Sequence, residues 1–403
     1  MIPVAKVAFG EEECEAVQRP LRSGWVTQGP EVAAFEREFA AAVGAPCACA
    51  MSSCTTALHV ALLAVGVRPG DEVITVSHSF IATANAVRYC GATPVFVDIE
   101  PDTFNMDARL IEEAITERTR AIMPVHQMGL PCNLPAILGI ARRHGLPVIE
   151  DAACASGSEI LWDGRFERIG RPHGDVACFS FHPRKILTTG DGGMITTSNA
   201  EIDRRARLLR QHGMSVSDSV RHASARVVFE SYDEPGYNYR MTDIQAAVGR
   251  VQVTRLDGLV GRRRELAERY AALLREIPGV RAPFVPEYAR HNFQSYCVRL
   301  PAGCEQRAVM QFMLDQGVAT RRGVMCAHRE GAYPRETWGC VGRRVGGCDC
   351  APRSCARLPE SERAQDETII IPLYHDMTAE EQAFVADALR RAVARVDGPA
   401  ARP

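Results

Sequence analysis

The chain has 403 residues, 46% of them hydrophobic and 24% charged, with a formal net charge of -2. That length suffices for two or three domains and a large core. There is no 18-residue apolar run for a membrane span, no basic-then-apolar leader, and no basic stripe for nucleic acid, so a cytoplasmic protein is expected.

Residues Gly29–Ala45 predict a helix, with Val32, Phe35, Phe39 and Val43 recurring at steps of three and four. Met51–Val67 opens on Ser52, Ser53, Thr55 and Thr56 and then runs as an apolar helix. Small hydroxyl residues at a helix start can cap it and make it a seat for an anion. Gly70–Phe80 reads as a buried strand, followed by a helix from Ile81 and a strand at Thr93–Ile99. Strands are expected at Arg120–His126 and Leu146–Ala153, with a helix at Asn133–His144 between them. Asp175–Phe181 and Gly192–Ser198 add two more. Short β-rich runs alternating with helices mean βα units and a largely parallel sheet, whose binding groups gather at strand C-terminal ends.

From Asp243 the pattern becomes a long helix, expected to break near Gly258–Gly261. "NFQSYCVRL" and "TIIIPLY" then read as strands of a smaller α/β domain. A terminal helix follows, with Thr378 and Glu381 at capping-box spacing, and the residues after Asp397 are expected to be loose. No internal repeat is present. The division expected is 1–250 for a large domain with an N-terminal arm and 251–403 for the smaller one, with a cysteine-bearing insertion near 336–358.

Fifteen cysteines in a chain this long do not suggest a disulfide scaffold. Cys47, Cys49, Cys54, Cys90, Cys154 and Cys178 lie among small or apolar residues, where a thiol packs as a small hydrophobe. Cys340, Cys348, Cys350 and Cys355 fall in a Gly/Arg-rich stretch and could together hold zinc. Their C-x-C spacing is tighter than usual, so a surface insertion without metal is the favoured reading.

Of 47 basic residues only two are lysine, Lys6 and Lys185. A coding bias toward arginine explains this where charge alone matters. Carbonyl chemistry differs, because an amine can lose its proton and attack while a guanidinium cannot. Lys185 lies in "CFSFHPRKILTTGDGG", between a buried strand and a Gly-rich turn. Asp151 ends the apolar strand of "VIEDAA", where an unmatched carboxylate faces a desolvation cost. A lysine, a buried acid and a hydroxyl-rich helix start are what pyridoxal phosphate (PLP) requires. Taken singly, Lys185 reads more readily as a surface residue and Asp151 as a turn cap than either does as a catalytic group. Spacing alone reaches only a cofactor-binding α/β enzyme.

The ordered blocks "SGWVTQGPEVAAFEREFA", "SSCTTALHVALLAVGVRPGDEVI", "SFIATANAVRYCGATPVFVDI", "VIEDAA", "FSFHPRKILTTGDGGMITT", "GYNYRMTDIQAAVGRVQ" and "IPLYHDMTAEEQ" span nearly the whole chain. It resembles the DegT/DnrJ/EryC/StrS family of PLP-dependent sugar aminotransferases, which have the aspartate-aminotransferase fold. The resemblance implies that Lys185 forms the covalent link to the cofactor and that Asp151 pairs with its ring nitrogen. It implies that Ser180, Cys54 and Thr55 bind the phosphate and that Phe80 stacks near the ring. Asn238 would reach the phosphate of a neighbouring subunit's cofactor, which implies a homodimer with shared active sites. Glutamate would be the amino donor, with the pyridoxamine phosphate form carrying the amine to a nucleotide-linked keto sugar. Lys185 would move the protons.

Cys154 stands where the family usually has His or Gln against the cofactor's ring oxygen. A thiol is a weaker donor, so altered cofactor electronics are expected rather than lost activity. Arg240, Arg321 and Arg322 are candidate clamps for a diphosphate or a donor carboxylate, and His182 and His328 are candidate substrate contacts. For each, an ordinary surface or packing role is the competing reading. "RRGVMCAHRE" and "IPLYHDMT" most resemble GDP-perosamine-synthase-like members, which points to a 4-keto-6-deoxyhexose acceptor. Family members that act on cyclitols share the same residue set. Sugar-dehydratase relatives carry histidine in place of the lysine, which Lys185 argues against. A non-catalytic regulatory homologue would have no use for the set.

Overall fold

In this computed structural model, residues 1–216, 221, 224–342, 351 and 353–396 are described. The apolar runs form strands β1 (Cys47–Met51), β2 (Glu72–Val76), β3 (Thr93–Val97), β4 (Thr119–Ile122) and β5 (Ile149–Asp151). A hairpin follows, β6 (Glu159–Trp162) and β7 (Arg165–Arg168), then β8 (Val176–Ser180) and β9 (Gly193–Thr197). The C-terminal part holds β10 (Ala289–Arg290), β11 (Tyr296–Arg299), β12 (Arg321–Arg322), β13 (Gly339–Cys340) and β14 (Thr368–Ile371).

One large sheet runs β13-β3-β2-β4, then β5-β8-β9-β1. Parallel bridges from Ile122 to Val148 and from Val125 to Asp151 join the two halves. Only β9 runs against its neighbours. The central strands are buried along their whole length, as strands covered on both faces must be. Helix Cys54–Ala64 is mostly buried, as its apolar run Ala57–Ala64, broken only by His59, requires, and it packs against β8 and β9 through Leu58, Ala61, Cys178 and Ile195.

A smaller antiparallel sheet, β11-β14-β12, packs on helices Leu256–Leu274, Gln306–Asp315 and Ala379–Val396. Its core joins Tyr270, Tyr296, Val309, Met313, Ile369, Ile371 and Leu389. Two segments cross the division expected near residue 250. Ile2 bridges Val318 in the smaller domain, and β13 adds a strand to the edge of the large sheet beside β3. Cys340 and Cys355 are buried there with Phe96, Trp338 and Leu358. Cys348, Cys350 and the residues after 396 lie outside the described residues.

The expected helix break near Gly258–Gly261 falls instead at Arg255, whose φ of -93° and ψ of -5° separate helix Asp243–Thr254 from Leu256–Leu274. Arg255 is held there by Glu12 and Glu13. The two glycines stay helical with open space around them. A glycine weakens a helix by about 1 kcal/mol without forcing a turn.

Candidate active site

Three strand ends converge. Gly193 of β9 stands opposite both Met51 of β1 and Ser180 of β8. Ser53 follows β1 and caps the next helix. Its hydroxyl accepts from the Thr56 N–H at 3.2 Å, and the Thr56 hydroxyl accepts from the Ser53 N–H at 3.1 Å. The N–H groups of Cys54 and Thr55 open the helix, where no intrahelical acceptor exists. A Cβ on Gly193 would lie 2.4 Å from the Ser53 carbonyl carbon and oxygen. Only glycine lets β9 lie this close to the helix start.

Asp151 ends β5 and is buried. Its Oδ2 accepts from the Thr83 hydroxyl at 2.7 Å and its Oδ1 from the Ala153 N–H at 3.1 Å. Burial raises its pKa; these two bonds and the charges of Lys185 and His126 oppose the rise. Behind it, the His126 N–H donates to the Asp151 carbonyl at 3.0 Å. The His126 ring is sealed. Its Nδ1 accepts from the Cys132 N–H at 3.0 Å, which leaves Nε2 to donate to Glu150 at 3.0 Å.

Past β8 the chain turns tightly, with the Lys185 N–H on the His182 carbonyl at 2.8 Å. Gln294 from the smaller domain grips this turn on both sides of Lys185. Its Nε2 donates to the Arg184 carbonyl at 2.6 Å and its Oε1 accepts from the Ile186 N–H at 3.0 Å. The Lys185 ammonium or amine Nζ lies 3.0 Å from the Cys154 sulfur. Asn292 holds the loop that carries Cys154, donating to the carbonyls of Cys154 and Ser156 at 2.8 and 2.9 Å.

The helix start at Ser53–Thr55, Asp151, Cys154, Lys185 and Gln294 line one cavity of about 580 Å³ between the two domains. Of the residues expected at a cofactor, Lys185, Asp151, Cys54, Thr55, Phe80, Cys154 and Ser180 all stand on its wall. His182, Arg321 and Arg322 stand there too. Burial and the nearby Arg184 charge lower the His182 pKa.

Asn238 and Arg240 lie off this wall, Asn238 on an exposed segment bridged to Gln211. His328, expected as a substrate contact, is buried away from it. Its Nδ1 is 2.6 Å from the Ser77 hydroxyl and its Nε2 is 3.0 Å from Glu362. This Ser–His–Glu order resembles a hydrolytic triad, but Ser77 and His328 are sealed from solvent and also bond through the His328 N–H. Its two ring nitrogens tie the end of β2 at Ser77 to helix Pro359–Glu367 at Glu362.

The residues fit pyridoxal phosphate. The buried Asp151 carboxylate accepts one bond at each oxygen and keeps lone pairs for a further cationic N–H, and a helix start beside two hydroxyls suits a phosphate. The glycine-walled approach of β9 leaves that helix start clear. Among the described residues no group of three His, Cys, Asp or Glu side chains could hold a metal ion, and no helix is long and apolar enough to cross a membrane.

Sequence reading missed Thr83, Arg184, Asn292 and Gln294. Arg184 sits inside the lysine motif but was indistinguishable from the many other arginines. Thr83 lies one helical turn past Ser79 on the strand-to-helix turn, a spacing that carries no chemistry until Asp151 is placed opposite. Asn292 and Gln294 lie more than a hundred residues from what they hold.

A sheet parallel but for one strand, with ligand groups gathered at one edge under a smaller domain, is the PLP-dependent aminotransferase fold of the aspartate-aminotransferase type. The chain belongs to the DegT/DnrJ/EryC1/StrS aminotransferase family, which it matches over residues 8–390. It is 37% identical over 400 residues to the spore coat polysaccharide biosynthesis protein SpsC of Bacillus subtilis (strain 168), covering 98% of each chain. Among solved structures, the aminotransferase TlmJ from Streptoalloteichus hindustanus superposes with a TM-score of 0.86 at 33% identity, over 99% of this chain and 100% of that one. The sugar aminotransferase CalS13 from Micromonospora echinospora gives 0.83 at 28% identity, over 97% of this chain and 100% of that one.

Proposed function

We propose that the protein is an aminotransferase that moves an amino group from L-glutamate to the keto group of a nucleotide-linked sugar, with a 4-keto-6-deoxyhexose as the leading acceptor. The observation that carries this is the Lys185 amine standing on the same cavity wall as the buried Asp151 carboxylate. The likeness to a polysaccharide biosynthesis protein and to a sugar aminotransferase supports a sugar acceptor.

When bound, pyridoxal phosphate supplies an aldehyde for amine exchange and a ring that withdraws electrons. Asp151 would hold the ring nitrogen in its protonated state. The Cys54 and Thr55 N–H groups, the Thr55 hydroxyl and Ser180 would hold the phosphate. Phe80 would cover the ring, and the Cys154 thiol would face its oxygen. The Lys185 Nζ would take the α-proton of the amino donor and later deliver a proton to the sugar carbon, which would fix its stereochemistry. Gln294 keeps that amine in place by holding the backbone on either side of it. In this proposal a second subunit contributes Asn238. The exposed apolar residues Val227 and Phe229 on the segment before it support such an interface.

The test is incubation of the loaded protein with glutamate and a panel of GDP-linked and dTDP-linked 3-keto and 4-keto sugars, read by mass. Amination of one member, abolished in Lys185→Ala, is expected. No amination with any amino donor, or full turnover by Lys185→Ala, refutes the proposal.

A further inference from the structure

The anionic ligands of the cavity can be read from its arginines, on the premise that the cavity is an aminotransferase site. Arg184, Arg321 and Arg322 stand on its wall. Arg322 is paired with Glu330 at 3.3 Å. Among the described residues, Arg184 and Arg321 make no ion pair with a carboxylate, and both are exposed, open to a ligand that enters the cavity. Two like charges on one wall, screened by water while the cavity is open, both attract an anion that comes between them. Of the wall's acids, Asp151 already accepts from Thr83 and Ala153. Asp191 is the other.

Arg184 is firmly placed. Its N–H donates to His182 Nδ1 at 3.2 Å, its carbonyl is held by Gln294, and Lys185 follows it directly. Arg321 comes from the other domain, on β12, opposite Ile370 of β14. The phosphate seat at Cys54, Thr55 and Ser180 is built by the large sheet and its helix, and β12 takes no part in it. The two arginines therefore stand at the junction between the domains, on the cavity wall that Lys185 also lines.

We infer that Arg184 and Arg321 form a two-armed seat for an oxyanion of at least two negative charges, carried by a reacting partner and not by the cofactor. Guanidinium forks match paired oxygens, which both a diphosphate and a carboxylate present. The diphosphate of a nucleotide-linked acceptor and the carboxylates of a dicarboxylic donor are the two sources of that chemistry.

The test is calorimetric titration of the PLP-loaded protein with inorganic pyrophosphate and, separately, with 2-oxoglutarate. Wild type, Arg184→Gln, Arg184→Lys and Arg321→Gln are compared. Wild type is expected to bind at least one of the two probes. Each glutamine variant should weaken that binding by about tenfold or more, with partial recovery in Arg184→Lys, because a charged hydrogen-bonded pair is lost. PLP affinity, read by fluorescence, should stay unchanged. Weakening confined to pyrophosphate assigns the seat to the acceptor's diphosphate, and weakening confined to 2-oxoglutarate assigns it to the donor. Three results overturn the inference: no binding of either probe by wild type, wild-type binding by both glutamine variants, or weakened PLP retention as the only change. Binding is measured without turnover. Failed amination together with arginine-dependent binding would therefore refute the proposed reaction and leave the seat standing.

Discussion

Replacing Thr83 by Val tests whether Asp151 is tuned by its neighbour. The Thr83 hydroxyl is buried, 2.7 Å from Asp151 Oδ2 and 2.8 Å from the Ser79 hydroxyl. Valine keeps the shape and removes the donor. A hydrogen bond to a charged group contributes about 1.5–3 kcal/mol, and about 1.4 kcal/mol moves a pKa by one unit. The bond favours the ionised carboxylate, so its loss raises a pKa that burial has already raised. The rise should be about one to two units. In the proposed function Asp151 would hold a protonated ring nitrogen only when ionised, so the acid limb of PLP affinity should move to higher pH by that amount. PLP affinity measured by fluorescence across pH 4–9 (about five units, wide enough to contain the shift) reads it directly. Thr83→Ser restores the hydroxyl and should restore the wild-type curve. Superimposable curves for wild type and the valine variant, with both proteins folded, would refute the reasoning.

Gly193→Ala pushes a methyl group into the backbone at Ser53. It should lower stability by about 1–3 kcal/mol and weaken PLP binding, read by thermal melts and fluorescence, and unchanged phosphate affinity would count against the close approach. Asn292→Ala removes bonds to Cys154, Ser156 and the Gln294 N–H. A loss of about 2–4 kcal/mol in chemical denaturation and a lower kcat are expected. His328→Leu strands Ser77 and Glu362, so it should lower the melting temperature while KM for both substrates stays put. A raised KM in a folded His328→Leu protein would return His328 to the substrate site.

Much of the fold was legible because periodicity reports burial. The all-buried strands β2, β8 and β9 read as apolar runs, and helix Pro30–Val43 shows its Phe35–Phe39 stripe. The hairpin β6–β7 passed unnoticed although Asp163-Gly164, with φ of 46° and 79°, is a turn that such a dipeptide favours. Its strands are half-exposed, so no apolar run marked them. The two-residue strands β12 and β13 carry no periodicity at all, and pairing with distant partners alone makes them strands. In the site, the groups on strand ends were legible because strand ends are where chemistry gathers. The groups that hold those ends were not, because Thr83, Asn292 and Gln294 act through contacts that exist only once the chain is folded. His328 shows the converse. A histidine in a charged, motif-like stretch looked like a ligand contact, and the fold spends both its nitrogens on Ser77 and Glu362.

The scarcity of lysine acquires a physical meaning from the two places where it survives. Lys6 Nζ lies 4.5 Å above the ring of Tyr374. That contact needs only a cation over a π face, and arginine meets it as well as lysine does. Lys185 points its amine at the Cys154 sulfur inside the cavity, with the neighbouring Arg184 already supplying positive charge to the same wall. A second guanidinium at position 185 would duplicate that charge and could neither condense with an aldehyde nor carry a proton to and from carbon. In the proposed reaction, adjacent positions would thus separate the two tasks of a cationic residue, with charge at Arg184 and chemistry at Lys185. Lys185→Arg should accordingly keep the charge of the wall and lose the reaction. That distinction between lost chemistry and lost electrostatics is one that Lys185→Ala alone cannot draw.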